Sequence, residues 1–353
     1  MRRVLVLALL VVLIAVDGVS GQTQRVALDV QVGPFPYPAA IRPQVEFWKK
    51  IFATYSKYQV VIHDTEYIDK VYKVLDFRAL LNEEGMDETA VLRIREKQTK
   101  RELENIRAIL LKLHRCGSGC DNLDAEEQRI WNLYRDIDHP NKFRHATYED
   151  RLRSQPGLRE RFGRGIEISR RYLREMENIF RSEGLPVELT RLPLIESCFD
   201  LRAYSKAAAA GIWQFIPATG RLYMRIDGTM DERRDPLIAT RAAARLLKSN
   251  YEMLGAWPLA ITAYNHGPYG MVKAAKTLGT TDIAYIIRHY KGKRFGFASK
   301  NFYPEFLAAV EVEKNHRTYF GPLRMEPPLR YEEVEVQDFI ALKHIIHCAD
   351  TTE

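Results

Sequence analysis

Cysteine is scarce in this sequence, with four in 353 residues. They do not form the two matched pairs of a structural zinc site; Cys116 and Cys120 have three residues between them and no counterpart pair. The histidines His63, His114, His139 and His145 show no ligand spacing either, so neither a metal nor a cofactor is expected. No run of five or more lysines and arginines occurs, which argues against a nucleic-acid-binding tail. The longest apolar run, Val4 to Val16, is thirteen residues and too short to span a bilayer comfortably. Internal repeats are absent, and the alanines 207–210 are too few to count as low complexity, which excludes solenoids and arrays. What is present is an ordinary apolar fraction of 46%, the composition of a folded globular protein. The net charge of +7 is mild, fits solvated surface and selects no partner by itself.

The first residues point to export. Arg2 and Arg3 precede the apolar run, and Val19-Ser20-Gly21 supplies small residues for cleavage, so residues 1–21 read as a signal peptide. No cysteine lies near that point, so a lipoprotein anchor is not expected. The periplasm or cell envelope is the expected location, with membrane or cell-wall association open. An exported chain can form disulfides, and four cysteines allow three pairings that sequence does not choose between.

Residues 22–43 are proline-bearing and lack a helical period. Phe47, Ile51 and Tyr55 recur at fours and predict a helix over 45–58. The β-branched and aromatic runs 59–63 and 70–77 predict a hairpin. Amphipathic helices are expected over 88–116, 125–137 and 162–181, the first from Leu103, Ile106, Leu110 and Leu113. Asp235-Pro236 and Gly255 bracket a helix over 236–253, and Trp257-Pro258 opens another ending near Asn265. Further helices are expected over 269–278, 282–290 and 302–315, with a strand within 329–336. The fold class is therefore mainly α with minor β at the margins.

Chemistry concentrates in residues 185–270. Leu189, Leu192 and Ile195 recur at threes, and Glu196 sits at the edge of the face they bury. A carboxyl beside apolar side chains holds its proton more tightly, as a general acid requires. Taken alone, Glu196 reads better as a surface glutamate at a helix end. Its neighbours change that balance. Ser205 is a short donor, Gln214 offers both donor and acceptor to sugar acetamido and hydroxyl groups, and Asn265 adds a second amide. Trp213 and Tyr264 could stack on sugar rings, although aromatics of this kind more often fill a core.

The segments ES at 196–197, S-x5-GIWQFIPATG at 205–220 and AYNHGP at 263–268 resemble the motifs of the lytic transglycosylases. DERRDP (231–236), GFASKNFYPEFLAA (296–309) and FWKKIFATYSKYQVVIHD (47–64) are similar to the membrane-bound D branch of that family. The resemblance implies a lysozyme-like, goose-type helical catalytic domain over about 161–320, following a mostly helical extension at 22–160. Residues 321–353 would be a β-containing tail, short of the glycan-binding LysM module common in the family. It implies Glu196 as sole acid and base, with Ser197, Ser205, Trp213, Gln214, Tyr264, Asn265 and Tyr303 as substrate-binding residues. The implied substrate is the peptidoglycan glycan strand, cut between N-acetylmuramic acid and N-acetylglucosamine to leave a 1,6-anhydro end. A lysozyme-like hydrolase would need a second carboxylate, for which Asp200, Asp227 and Asp231 are the candidates by sequence. A non-catalytic peptidoglycan-binding scaffold is the third reading. Cys198 stands where the family more often has glycine or alanine.

Overall fold

The computed structural model describes residues 30–32, 34–82, 85–120, 122–330 and 340–348. The expected signal peptide and most of the late strand lie outside the described residues. Strands β1 (Val30–Val32) and β2 (Phe35–Tyr37) pair antiparallel and lead into α1 (Arg42–Ala53), one face of which buries Val45, Trp48, Ile51 and Phe52. The hairpin follows as expected, β3 (Gln59–Asp64) with β4 (Val71–Asp76). Next come α2 (Arg78–Asn82), α3 (Glu88–Cys116), α4 (Ala125–Leu133) and α5 (Lys142–Ala146). A disulfide joins Cys116 to Cys120 just past α3, while Cys198 is free and buried. Strand β5 (Leu152–Pro156) then returns to the other edge of β3, giving the sheet order β4-β3-β5.

That sheet separates two cores, because alternate residues of a strand face opposite ways. Ile62 and Leu152 join Ile106, Leu110 and Tyr134 in a core under α3 and α4. Val61 faces the other way, into the large helical core. The buried Asp64 ties the first core together. It ion-pairs with Arg151 at 2.9 Å, accepts from Tyr134 at 2.7 Å, and caps the backbone of Glu66 and Tyr67.

The large core is built from α6 (Arg159–Ser182), α7 (Leu192–Glu196), α8 (Pro217–Gly220), α9 (Pro236–Leu254), α10 (Trp257–His266), α11 (Pro268–Leu278), α12 (Ile283–His289) and α13 (Phe297–Lys314). Two short helices, α14 (His316–Phe320) and α15 (Leu342–Cys348), complete the order. The capping signals act as read: the Asp235 side chain accepts from the Leu237 and Ile238 backbones, and Gly255 ends α9 at φ 69°. Helix α13 starts at Phe297, five residues before the expected start, with Pro304 inside it. Early residues belong to this core too. The Trp48 indole donates to Asn301 at 2.9 Å, and Phe35 packs edge-on to Phe306 at 5.0 Å.

Candidate active site

Pro193 occupies the first turn of α7, where a missing N–H costs nothing, so the helix starts there and is not kinked. It lasts five residues and ends on Glu196. The chain beyond is pinned from two sides: Arg161 of α6 donates to the Ser197 carbonyl at 3.0 Å, and the Ser197 hydroxyl donates to the Ile212 carbonyl at 2.9 Å. Cys198 and Phe199 then take left-handed backbone, φ 54° and 56°. Gly165 of α6 makes this possible, since a Cβ there would lie 2.7 Å from the Cys198 carbonyl oxygen. Cys198 is thus a small apolar group at a tight crossing.

Residues 203–215 fold into a compact loop facing the end of α7. Ser205 N donates to Ala209 O, Gly211 N to Ala203 O, and Ala210 N to Phe215 O. Arg233, buried and ion-paired with Asp231 at 2.7 Å, braces it by donating to the Ala208 and Phe215 carbonyls at 2.6 and 2.9 Å. Ala208 and Gln214 have positive φ, 59° and 50°. Four of the five described non-glycine residues with positive φ therefore fall within 198–214. Such strain costs about 1–3 kcal/mol per residue and persists where surrounding contacts hold it, commonly at functional sites.

The Glu196 side chain is half-buried at the head of this loop. Among the described residues nothing hydrogen-bonds or ion-pairs with its carboxyl. Burial alone pushes its pKa up to about 8, so it carries a proton at neutral pH. Tyr264 of α10 is close enough to feel its charge: burial first, then Glu196, raises the phenol well above its usual range. The Tyr264 hydroxyl donates to the Trp213 carbonyl at 2.8 Å, and its ring lies nearly parallel to Phe302 at 6.3 Å. Ser197 and Tyr264 thereby hold the 212–214 backbone between them.

A second carboxyl stands beside Glu196. It is Glu305 on α13, the helix against which α7 packs. Burial raises its pKa to about 8; the negative charge of Glu196 adds to this, and Arg153 opposes it. Ionisation of Glu196 therefore opposes ionisation of Glu305. The aspartates considered from sequence are occupied elsewhere. Asp227 pairs with Arg225 on the surface, Asp231 holds Arg233, and Asp200 caps the Arg202 backbone. Glu305 escaped the sequence reading, yet a signal exists: it is the lone acid in the otherwise apolar run FYPEFLAAV.

The remaining residues divide. Both amide-proton contacts of Gln214 go to the loop, to Gly211 O at 2.8 Å and Ala203 O at 3.3 Å, leaving its Oε1 to accept from a ligand. The Ser205 oxygen accepts from the Ala207 and Ala209 backbones, so its proton remains to donate. Asn265 is exposed, with Oδ1 accepting from Ser299 at 3.0 Å and its amide protons free. Three residues fall in the core instead of on a cleft wall. Trp213 is fully buried against Phe180, its indole donating to Thr240 at 2.9 Å, so it has no face for a sugar. Ser197 is buried on Ile212 O, as above. Tyr303 is fully buried, its hydroxyl donating to the Pro36 carbonyl at 2.6 Å. These three shape the site from behind.

Comparison with known proteins fits this geometry. Residues 175–287 match the family profile of the transglycosylase SLT domain. The membrane-bound lytic murein transglycosylase D of Escherichia coli strain K12 is 36% identical over 148 residues, covering 39% of this chain and 30% of the relative. Its counterpart in Escherichia coli O6:H1 matches with the same identity and coverage. The matched region thus spans under a third of these relatives' length. The segment carrying Glu196, the strained 203–215 loop and Tyr264 lies within the match to the transglycosylase SLT domain family.

Proposed function

We propose that the protein is a peptidoglycan lytic transglycosylase acting in the cell envelope, with Glu196 as acid and then base. The reading is carried by one observation: the half-buried Glu196 carboxyl has no partner among the described residues, and its surroundings push its pKa up to about 8, which favours the protonated form at neutral pH. Such a group gives up its proton when a leaving oxygen gains negative charge beside it. In this reading Glu196 protonates the glycosidic oxygen between N-acetylmuramic acid and N-acetylglucosamine. The substrate's own acetamido group supports the positive centre at C1. Glu196, now ionised, removes the proton from the C6 hydroxyl, whose oxygen closes onto C1 to form the 1,6-anhydro sugar. The nucleophile is tethered, so no second base is required. Gln214 Oε1, the Ser205 hydroxyl and the Asn265 amide are assigned to hold the sugars in register.

Glu305 gives hydrolysis a specific foothold, because a second carboxyl near the acid could activate water. Against that role, its raised pKa leaves it protonated at neutral pH, and a protonated acid is not a base. Mass spectrometry of the muropeptides released from sacculi separates the two. Transglycosylation gives anhydro ends and hydrolysis gives reducing ends, heavier by one water.

A further inference from the structure

Arg153 lies on β5, directly opposite His63 in the β3–β5 register, so both side chains share the sheet face turned to the large core. Both meet the first residue of α13. The Arg153 guanidinium lies 4.4 Å from the Phe297 ring centroid, and the His63 ring lies 5.8 Å from it. Two turns along the same helix stands Glu305, whose charge Arg153 feels. The order along this wall is therefore Glu196, Glu305, Arg153. Arg153 is exposed, yet no described residue pairs with it or accepts its hydrogen bonds. Its neighbours do not neutralise it. Burial pushes the His63 pKa down to about 4, leaving a neutral ring, and Glu305 keeps its proton at neutral pH.

A surface arginine usually sways in water. This one lies over an aromatic ring, a cation–π contact that restrains the guanidinium before any ligand arrives. The matching ligand for such a fork is a carboxylate, bound through two parallel hydrogen bonds. We propose that Arg153 binds a carboxylate of the substrate strand at the rim of the cleft and sets a preference for glycan carrying acidic groups. This rests on the glycan-cleaving reading above. It also gives the N-terminal sheet a share in recognition, since β5 lies outside the segment matched by the SLT family.

The test compares the full chain with its Arg153→Ala and Arg153→Lys variants on three substrates. These are intact sacculi, sacculi whose carboxylates have been blocked as amides, and strands stripped of peptide by an amidase, whose only carboxylate is the lactyl group that the cleavage frees. Cleavage rate and co-sedimentation are both measured. Losing a charge-assisted bidentate contact predicts roughly a tenfold drop for Arg153→Ala on intact sacculi, with Arg153→Lys partly restored. On blocked sacculi the variants should equal the wild type, which also shows that they fold. A drop on stripped strands as well shows that the freed lactyl carboxylate can also serve, and none there assigns the contact to the peptide alone. Equal behaviour of Arg153→Ala and wild type on intact sacculi overturns the proposal, as does an equal drop on blocked sacculi. Should no substrate be cleaved, the lytic reading falls, while the co-sedimentation arms still decide the role of Arg153.

Discussion

Glu196 and Glu305 are two acids whose protonation the fold itself sets. Burial alone raises the pKa of Glu196; for Glu305 burial comes first and the charge of Glu196 adds to it. With Glu196 as the general acid, kcat/KM should hold through neutral pH and fall above about 8. Glu305→Gln should leave that falling limb in place, because burial alone raises the Glu196 pKa. Replacing the acid itself, Glu196→Gln should lower the cleavage rate by about a thousandfold or more. The same substitution should change stability in a pH-dependent way. A carboxyl whose folded pKa is raised makes the folded state bind the extra proton, so stability is lost as pH rises from the unfolded value towards about 8. At pH 4 the wild type and Glu196→Gln should melt together. At pH 8 the variant should be more stable by roughly 2 kcal/mol, read as a rise of several degrees in Tm.

The 203–215 loop is the element on which the site depends. Gly211 sits at φ 73°, and a Cβ there would lie 1.9 Å from the Arg233 carbonyl oxygen. Gly211→Ala must move the Arg233 brace or the loop, and should cost more than about 2 kcal/mol. Because the loop carries Gln214, the cleavage rate should fall further than the lost stability alone explains; denaturant titration beside kinetics checks this. The sequence made Gly211 visible as a glycine in a motif, but its partner Arg233 lies 22 residues on. Only the fold brings that carbonyl against the glycine. The helices were legible because 3.6-residue periodicity and caps such as Asp235 and Gly255 are local signals. Strand β5 was not, since LRSQP is polar, ends in proline and forms only by pairing with β3.

Across the whole molecule, the large core draws on both ends of the described chain. Trp48 is 5% exposed and packs with α13, and its indole donates to the Asn301 oxygen. Trp48→Ala should therefore cost about 3–5 kcal/mol, and a fragment starting at residue 161 should lack a cooperative melting transition by circular dichroism. Glu196 stood out in the sequence because the motifs around it, with Ser205, Gln214 and Tyr264-Asn265, resemble those of the lytic transglycosylases. Trp213 and Tyr303 misled because an aromatic in a motif looks alike whether it faces sugar or core, and burial is settled only by packing. Glu305 and Arg153 were hidden for a related reason. They reach the site from α13 and β5, 109 and 43 residues from Glu196.

The central claim is that a single acid, protonated at rest, cuts the strand with the sugar's own hydroxyl as nucleophile. Digestion of purified sacculi by the full chain, followed by mass spectrometry of the soluble muropeptides, tests it most directly. The account predicts 1,6-anhydro ends from the wild type and no release from Glu196→Gln. Reducing ends, one water heavier, would contradict it and make Glu305 the activator of that water.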